Sequence, residues 1–487
     1  MPAAVTAIIN RPQFRHASWG RLDLNARTGE VAHARRAGEM FVPGSTTKLF
    51  SLSGAWKLLG PDSRITTPVY ARGTRRGSRL DGDLVLVGAG DVTFGGRTTP
   101  DGRVAFTDVD HTDANVIPGA TLTPQDPLAG LNALAGQVRA AGITRVSGNV
   151  VVDDRLFSTD LQPAPTPLMI NENVIDVLVQ PGAVGRPAAL TVRPPAAAYT
   201  VQSTVTTVAA GQPSAVTVSG LAPGRITVSG TIAADSAPLL RTAPITDPAA
   251  FGRTVFIQAL RARGVQVDAP ATGPNPATRL PRSSRYPAGS RVARFESPRY
   301  AEQARFILKV SHNLGANTAI CLLAVRAGSD GCADGFTALG AFLTRTGVDV
   351  GSLVISSGAG GEPNRLPPTA VTQLLRWWTR QPDFGRWRES LPVLGVDGTL
   401  HDVATGSPAR GKVFAKTGTL IDADLLTGDI VLLTKALAGY FQTADGTWQV
   451  FDIVVNNPGK SPDILSLLGV GEDVGQVAAA LWQAQNP

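Results

Sequence analysis

The chain has 487 residues, 43% of them hydrophobic and 17% charged, which at roughly 150 residues per domain allows two to four domains with cores of their own. No run reaches the roughly 18 to 20 apolar residues that cross a bilayer, both signs of charge are well represented, and two cysteines cannot form a disulfide framework, so membrane-spanning, disordered and disulfide-stapled proteins are disfavoured. The net charge of +7 comes from basic residues scattered singly, which disfavours a nucleic-acid interface.

The first predicted elements are a hairpin and a helix. Residues 16–40 alternate between apolar and polar around a turn at residues 27–30, which indicates two paired strands. A helix follows from about Ser45 to the stop signal formed by Gly60 and Pro61. The apolar residues that give it helical spacing are Leu49, Leu52, Trp56 and Leu59.

Residues 71–244 contain short strands rich in valine and threonine, and helical periodicity is rare there. Strand-like segments begin near positions 84, 149, 189 and 215. The stretch is typical of one or two β-rich inserted domains, with the Pro- and Ala-rich residues 193–198 as a loop. The Gly-Ala-Gly-Asp sequence at 88–91 is similar to a nucleotide-binding turn, but its glycine spacing and the lack of a following helix favour a β-turn.

Helical periodicity returns in residues 249–263 and 298–326. Late strands then surround an Asp-Gly turn at residues 444–447, which predicts a hairpin. A helix over residues 473–483 would cover the resulting sheet. We interpret the tryptophans at 377, 378 and 387 as packing residues rather than as a sugar-binding surface. The outer segments are therefore mixed α and β, around a β-rich insertion.

Ser45 and Lys48 form the first candidate catalytic pair. Three residues apart at the start of the predicted helix, the hydroxyl and the amine lie on the same face. A serine is unreactive at neutral pH unless a base accepts its proton, and a lysine whose pKa is lowered by burial and a nearby positive charge can be that base. The alternative is a helix-capping serine beside a solvated lysine. Because the chain has only seven lysines against 38 arginines, a lysine inside a motif carries more weight than usual.

A second motif, Lys416-Thr417-Gly418-Thr419, follows an apolar strand. A cation and two hydroxyls at a strand edge could hold a peptide carboxylate, and Gly418 would leave room for a substrate backbone. A strand that ends in a polar turn is the alternative.

A third motif, Ser311-His312-Asn313, lies at a break between two helical stretches. Ser311 could relay a proton to a leaving group, and the Asn313 amide could hold a substrate carbonyl or the lysine. A helix cap would explain the same residues.

The three motifs occur together in the order that the penicillin-recognising serine enzymes use. Only Lys48 has a serine three residues before it, and only Lys416 is followed by Thr-Gly. Over nearly its whole length the chain resembles the three-domain D-alanyl-D-alanine carboxypeptidases and endopeptidases, the class C low-molecular-mass penicillin-binding proteins. Besides the motifs, this resemblance is carried by residues 82–91, 148–157, 171–182, 391–400 and 437–446.

The resemblance implies an α+β fold. It comprises a β-lactamase/transpeptidase-like catalytic domain, with an antiparallel sheet flanked by helices, and two nested β-rich insert domains. The catalytic domain would contain residues 1–70 and 245–487, insert domain II residues 71–101 and 172–244, and insert domain III residues 102–171. Single-domain β-lactamases lack the long insertion and are the poorer match.

The resemblance also implies acyl transfer without a metal or cofactor. Ser45 would attack the carbonyl of the penultimate D-Ala of a peptidoglycan stem peptide, with Lys48 as proton acceptor, and water would cleave the acyl-enzyme. The backbone N–H groups of Ser45 and Thr419 would form an oxyanion hole worth roughly 3 to 4 kcal/mol per donor. Lys416, Thr417 and Thr419 would hold the terminal carboxylate, and Lys416 would help to keep Lys48 neutral. β-Lactams would acylate Ser45 as covalent inhibitors.

Two positions depart from the family pattern, and a third region carries a family feature over. His312 stands where the middle residue of the S-x-N motif is usually Asp or Asn. The glycine-rich loop at residues 357–362 begins with a serine where relatives often have an aspartate, which leaves recognition of the substrate side chain open. In relatives an aspartate of the insert region, here near Asp153 or Asp154, meets the free amine of that side chain.

Several alternatives stay open at the level of sequence. A β-lactamase or esterase on the same scaffold would turn the acyl-enzyme over rapidly, and a non-catalytic cell-envelope binding protein would keep the fold without releasing D-Ala. The sequence does not choose between carboxypeptidase and endopeptidase action, and Cys321 and Cys332 could be free thiols or one bridge. Because peptidoglycan lies outside the cytoplasmic membrane, an exported protein of the bacterial periplasm or cell envelope is expected, although the N-terminal residues show no recognisable signal peptide.

Overall fold

The structure is a computed structural model that describes residues 2–219 and 224–486. Contacts within the chain divide it into two compact units. Unit 1 comprises Met1–Asp62, Thr159–Ala164 and Ala304–Pro487, and unit 2 comprises Ser63–Ser158 and Pro165–Gln303.

The strands and helices are named here in chain order. The strands are β1 (Ser18–Asn25), β2 (Val31–Arg35), β3 (Thr66–Arg76), β4 (Arg79–Val87), β5 (Arg145–Val146), β6 (Val150–Asp153), β7 (Val174–Gln180), β8 (Ala189–Arg193), β9 (Thr200–Ser203), β10 (Thr206–Val208), β11 (Ala215–Ser219), β12 (Arg225–Ala233), β13 (Leu239–Pro244), β14 (Gln266–Val267), β15 (Arg291–Glu296), β16 (Val413–Ala423), β17 (Ile430–Gln442) and β18 (Trp448–Ser461). The helices are α1 (Ala3–Ile9), α2 (Lys48–Leu59), α3 (Ala129–Ala140), α4 (Pro248–Ala262), α5 (Tyr300–Lys309), α6 (Asn313–Arg326), α7 (Asp334–Thr346), α8 (Pro368–Trp378), α9 (Phe384–Glu389), α10 (Ile464–Leu468) and α11 (Val470–Ala484).

Unit 1 is built on a five-stranded antiparallel sheet in the order β16-β17-β18-β1-β2. Side chains alternate between the two faces of a strand, and both faces are covered by helices. Leu437 and Phe441 of β17 share a buried cluster with Val477 of α11. Tyr440, between them, donates from Oη to the Leu375 carbonyl oxygen of α8. Antiparallel strands flanked by helices confirm the predicted α+β class.

The helices of unit 1 meet in an aromatic cluster. Trp56 of α2, Trp378 of α8 and Trp387 of α9 are fully buried. The rings of Trp378 and Trp387 stack with centroids 4.3 Å apart, and Trp56 meets both edge-on. The half-buried Trp377 packs edge-on against Phe342 and Trp378. These contacts confirm that the three tryptophans at 377, 378 and 387 are packing residues, and they hold α2 against α8 and α9.

Unit 2 contains the β-rich part of the chain. It has a six-stranded sheet, ordered β14-β5-β4-β3-β15 with β6 beside β4, a three-stranded sheet ordered β13-β7-β8, and a four-stranded sheet built around β12. Helices α3 and α4 pack together, and their apolar residues join the strands in one buried cluster.

The compact units begin and end at different residues from the predicted domains. Unit 2 starts at Ser63 and continues to Gln303, whereas the predicted insert runs from 71 to 244. The physical reason is that β14 and β15 pair with β5 and β3, and that α4 contributes Phe256 to the core of this unit. The division of the insert into two nested domains stays a prediction.

Most predicted elements are present. The hairpin is β1 and β2, the first helix ends at Leu59 before Gly60, the break between α5 and α6 falls at the third motif, and β17 and β18 flank the Asp-Gly turn. In contrast, α3, inside the β-rich region, and α7 were not predicted.

Two features of unit 1 bear on expectations about its environment. Cys321 of α6 and Cys332 form a disulfide, which decides between the two states left open. By length and composition the helical stretch Ile464–Ala484 could cross a membrane, but more than half of it is buried. The buried residues of this stretch include Val474 and Leu481 of α11, which pack in the core of unit 1.

Candidate active site

Ser45 lies in a short 3₁₀ turn, Gly44–Thr47, which leads directly into α2. Lys48 is the first residue of that helix and is fully buried. Its Nζ atom lies 2.6 Å from Ser45 Oγ. The two residues predicted to form a nucleophile and a base are therefore in direct hydrogen-bonding contact.

The third motif reaches the same amine from another part of the chain. Asn313 is the first residue of α6, and its Oδ1 atom accepts a hydrogen bond from Lys48 Nζ at 2.7 Å. His312 caps the helix, since its Nδ1 atom accepts from the Gly315 amide at 3.1 Å. Ser311 has a positive φ of 63°, a left-handed conformation that reverses the chain between α5 and α6.

The Ser311 hydroxyl is half-buried at this break. Within the described residues it makes no hydrogen bond, so it is not bonded to Lys48 or to Lys416. The structure thus brings Asn313 onto the lysine and leaves Ser311 beside it in the chain without a fixed partner.

A loop that the sequence analysis does not connect with Lys48 supplies the third acceptor. The carbonyl oxygen of Ala359 accepts from Lys48 Nζ at 2.9 Å and lies 3.4 Å from Ser45 Oγ. The next residue, Gly360, packs so closely that a Cβ atom there would lie 2.0 Å from the Gly44 carbonyl oxygen. The glycines within residues 358–361 indicate that the loop can approach another backbone segment closely. They do not indicate which carbonyl oxygen accepts from Lys48, because every residue has a backbone carbonyl.

The Lys416-Thr417-Gly418-Thr419 motif lies on β16, the edge strand of the sheet. Lys416 is fully buried, and its Nζ donates to the Thr417 carbonyl oxygen at 2.9 Å. A Cβ atom on Gly418 would lie 2.2 Å from the Pro43 carbonyl oxygen. Glycine is therefore required for the strand to pass directly beside the turn that carries Ser45.

The backbone of Thr419 also lies against this turn. Gly44 has a positive φ of 52°, and a Cβ atom there would be 2.8 Å from the Thr419 amide nitrogen. The turn therefore meets the strand at Gly44 and Thr419. Thr419 and Ser45, the residue after Gly44, are the two residues whose N–H groups the family resemblance implies for an oxyanion hole.

The chain around Gly398 connects the second motif with the end of α5. Lys309 Nζ binds both carboxylate oxygens of Asp397, at 2.7 and 2.6 Å. Two residues further on, the Thr399 hydroxyl lies 2.7 Å from the Thr417 hydroxyl. These contacts link the Lys416 strand to the segment that precedes Ser311, and they were not predicted, although residues 391–400 carried part of the family resemblance.

Lys435 is a further residue that sequence reasoning missed. It lies on β17 opposite Thr419, and its Nζ donates to Thr419 Oγ1 at 3.0 Å. Its position follows from the register of β16 and β17, which the sequence does not reveal because the length of the connecting turn is not known in advance.

The two candidate aspartates of the insert region lie in unit 2 and differ in their surroundings. Asp153 is buried, and its carboxylate accepts hydrogen bonds from Arg155 and from Tyr286 Oη. Burial raises the pKa of Asp153, but these hydrogen bonds outweigh it and leave the pKa below the ordinary value. Asp154 is exposed, and its pKa is raised by partial desolvation and by the charges of Asp153 and Asp247. The role of Asp154 toward a substrate stays a prediction.

Side chains that could hold a metal do not cluster in the part of the chain that the structure describes, where no group of three or more His, Cys, Asp or Glu residues has suitable placement. A serine hydroxyl, an adjacent amine and an edge strand beside them are the components of nucleophilic acyl transfer.

Comparison with known proteins points to the same class. The D-Ala-D-Ala carboxypeptidase 3 (S13) family matches residues 1–466. The D-alanyl-D-alanine carboxypeptidase of Actinomadura sp. (strain R39) is 28% identical over 455 residues, covering 87% of this chain and 77% of the relative. The penicillin-sensitive carboxypeptidase A of Dictyostelium discoideum is 26% identical over 456 residues, covering 88% of this chain and 81% of the relative.

Solved structures share the fold. Penicillin binding protein 4 from Haemophilus influenzae, in complex with a β-lactam, matches with a TM-score of 0.71 at 19% identity and covers 99% of both chains. A predatory endopeptidase from Bdellovibrio bacteriovorus matches with a TM-score of 0.51 at 14% identity, over 96% of this chain and 94% of that one.

Fold and site together define a serine enzyme of the acyl-transferring class. The chain belongs to the D-Ala-D-Ala carboxypeptidase 3 (S13) family and is a serine-type D-Ala-D-Ala carboxypeptidase. This confirms the family resemblance found in the sequence.

Proposed function

We propose that this protein cleaves the terminal D-Ala-D-Ala bond of peptidoglycan stem peptides through an acyl-enzyme on Ser45. The observation that carries the proposal is the contact of the buried Lys48 amine with Ser45 Oγ at 2.6 Å. The names of the curated relatives, a D-alanyl-D-alanine carboxypeptidase and a penicillin-sensitive carboxypeptidase, support the same substrate class.

In the proposed reaction, Ser45 Oγ attacks the carbonyl carbon of the penultimate D-Ala while Lys48 takes the hydroxyl proton. The tetrahedral oxyanion is stabilised by the backbone N–H groups of Ser45 and Thr419, worth roughly 3 to 4 kcal/mol per donor. The C–N bond then breaks, and D-Ala leaves after it receives a proton, for which Ser311 is the relay. Water attacks the resulting ester, with Lys48 again as the base, and restores Ser45.

The substrate's terminal carboxylate is assigned to Lys416, Thr417 and Thr419. Two observations support this: β16 is an edge strand that can pair with an extended peptide, and the two threonine hydroxyls lie on the same face of that strand, two residues apart. Asp154 is assigned to a free amine on the substrate side chain, by the family resemblance alone.

Location outside the cytoplasmic membrane, in the periplasm or cell envelope of a bacterium, is part of the proposal. The Cys321–Cys332 disulfide supports it, because structural disulfides persist mainly in oxidising compartments.

β-Lactams should acylate Ser45, since a strained cyclic amide with a carboxylate mimics D-Ala-D-Ala. The test is incubation with fluorescent penicillin, followed by intact mass and peptide mapping. We expect one covalent adduct on Ser45 in the wild-type protein, none in Ser45→Ala, and acylation at least about 1,000-fold slower in Lys48→Met, where no base remains. The exposed Lys412, as Lys412→Met, is the matched control. No adduct on folded wild-type protein would overturn the assignment.

Turnover assays separate the remaining alternatives. Release of D-Ala from a pentapeptide indicates a carboxypeptidase, and cleavage of a cross-linked dimer indicates an endopeptidase. Rapid hydrolysis of the penicilloyl ester would indicate a β-lactamase, and an intact peptide with a stable fold would indicate a binding protein.

A further inference from the structure

Lys435 lies beside the residues assigned to the substrate carboxylate. It belongs to β17 and faces Thr419 of β16 in the register of the sheet. Its Nζ atom donates a hydrogen bond to Thr419 Oγ1 at 3.0 Å. An ammonium group therefore stands directly behind one of the two threonine hydroxyls on the edge strand.

The first turn of α11 defines the space that the Lys435 side chain occupies. A Cβ atom on Gly471 would lie 2.9 Å from Lys435 Cε and 3.1 Å from Nζ. Such distances are below normal van der Waals contact, so the absence of a side chain at this position lets the amine reach Thr419. The position of the Lys435 amine is consequently determined by the register of β16 and β17 and by the contact with Gly471 of α11.

The direction of the Thr419 hydroxyl proton follows from this contact. A protonated lysine has three donors and no acceptor, whereas a hydroxyl has one proton and two lone pairs. Because Thr419 Oγ1 accepts from Lys435, its own proton is left to donate to another group. On an edge strand, a ligand that binds alongside offers that acceptor.

We propose that Lys435 is a positioning residue for the substrate carboxylate: it holds the Thr419 hydroxyl as a donor toward that carboxylate and adds a positive charge behind it. The inference rests on the proposed function, in which Thr419 contacts the carboxylate. It deepens that function, because it adds a second cation to the one already assigned, Lys416.

The charge of Lys435 changes within the pH range of an assay. Burial lowers its pKa to about 8, against the opposing effect of the Asp402 carboxylate. The acidic residues Glu472 and Asp473 lie in the first turn of α11, directly after Gly471. Below pH 8 the ammonium form dominates and the carboxylate is held, and above pH 8 this contribution is lost.

The experiment compares two ligands that differ only in the carboxylate. Acylation of Ser45 by benzylpenicillin and by its methyl ester is followed from pH 6 to 10 in the wild-type protein and in Lys435→Met. We expect the second-order rate constant for benzylpenicillin to fall roughly tenfold in the variant at pH 7, the scale of a lost charge-assisted hydrogen bond, while that for the ester changes less than about twofold.

Two further variants test the charge and its placement. Lys435→Arg keeps a cation at all these pH values, so the decline in the benzylpenicillin rate above pH 8 should move to higher pH. Gly471→Ala keeps the lysine but displaces its amine, and it should reproduce part of the Lys435→Met effect with benzylpenicillin only. Lys412→Met should have no effect with either ligand.

The outcomes separate this inference from the proposed function. An equal loss with penicillin and ester in Lys435→Met, or an alkaline decline that Lys435→Arg leaves in place, would overturn the role of Lys435. Acylation that persists in Ser45→Ala would overturn the proposed function instead.

Discussion

The three acceptors around Lys48 determine how its amine can act as a base. Nζ lies within hydrogen-bonding distance of Ser45 Oγ, Asn313 Oδ1 and the Ala359 carbonyl oxygen. A neutral amine has two protons and one lone pair. In the neutral form of Lys48, Asn313 Oδ1 and the Ala359 carbonyl oxygen accept its two protons, and the lone pair is directed at the Ser45 hydroxyl. Placement of these two acceptors thus orients the base before substrate arrives.

A buried cluster of charged side chains around His111 contributes to the stability of unit 2. His111 lies between two carboxylates, with Nδ1 2.5 Å from Asp176 and Nε2 2.7 Å from Glu172. Arg97 binds Glu172 as well, at 2.9 Å, and Asp110 at 2.7 Å. Burial lowers the pKa of His111, but the carboxylates of Asp110, Asp176 and Glu172 outweigh it and raise that pKa to about 10. Burial likewise raises the pKa of Glu172, and Arg97 and His111 bring it down to about 2.

His111→Gln should destabilise unit 2 by about 3 to 5 kcal/mol, because it removes the cation that lies between the buried carboxylates of Asp176 and Glu172. A histidine whose pKa is raised on folding stabilises most below its unfolded pKa, here 6.5, and this contribution is lost as the pH rises toward about 10. The difference between wild type and variant should therefore be largest below pH 6.5 and shrink above it. This difference in the free energy of unfolding is measured by urea unfolding at pH 5.5, 7.5 and 9.5, monitored by far-UV circular dichroism.

The control for this prediction is His16→Gln, at an exposed position, which should change stability by less than about 0.5 kcal/mol. A difference between wild type and His111→Gln that grows with pH would contradict the assignment of a protonated, paired His111.

At the scale of elements, the site depends on glycines where backbone segments meet. Gly360 has a positive φ of 103° and approaches the carbonyl of Gly44, and Gly418 of β16 approaches the carbonyl of Pro43. The backbones of the loop and of the edge strand lie so close to the turn that a Cβ atom at Gly360 or Gly418 would overlap a carbonyl oxygen of the turn. These contacts position the Ala359 acceptor and the Thr419 backbone relative to Ser45.

Gly360→Ala should slow acylation by about 100-fold, because a displacement near 1 Å at the loop moves the Ala359 carbonyl off Lys48. The neighbouring Gly361→Ala is the matched control, since a Cβ atom there meets nothing within 4 Å. Stopped-flow acylation with fluorescent penicillin gives both rates, and thermal unfolding shows whether the variants remain folded. Equal rates in the two variants would show that the loop does not set the geometry.

The sequence predicts elements better than it predicts their contacts. α3 was recoverable, because Leu131, Leu134, Ala135 and Val138 have helical spacing, but two glycines inside this helix and the strands around it obscure the pattern. The motifs indicated that Ser45, Lys48 and Asn313 lie together, and the structure brings them into contact although Asn313 lies 265 residues from the lysine; their catalytic roles stay predictions. The contacts of Ala359, Thr399 and Lys435 were not predictable, because they depend on backbone geometry and strand register rather than on residue type.

At the scale of the whole molecule, the two units can be followed separately by spectroscopy. All seven tryptophans lie in unit 1, from Trp19 to Trp482. Tryptophan fluorescence therefore reports the unit that carries Ser45, while circular dichroism reports both. The extent of unit 2 was not predictable from strand-like sequence alone, because the strands and helix that complete its core come after residue 244.

The disulfide connects the stability of unit 1 to the redox state of its surroundings. Cys321 and Cys332 are buried, and their bond joins α6, which begins with Asn313, to the start of α7. Reduction should destabilise unit 1 by about 2 to 4 kcal/mol, measured as the shift of the urea midpoint in tryptophan fluorescence with and without dithiothreitol. The double variant Cys321→Ala, Cys332→Ala should show no response to the reductant. Two reactive thiols in the unfolded, unreduced protein would contradict the bridge and remove its support for an exported enzyme.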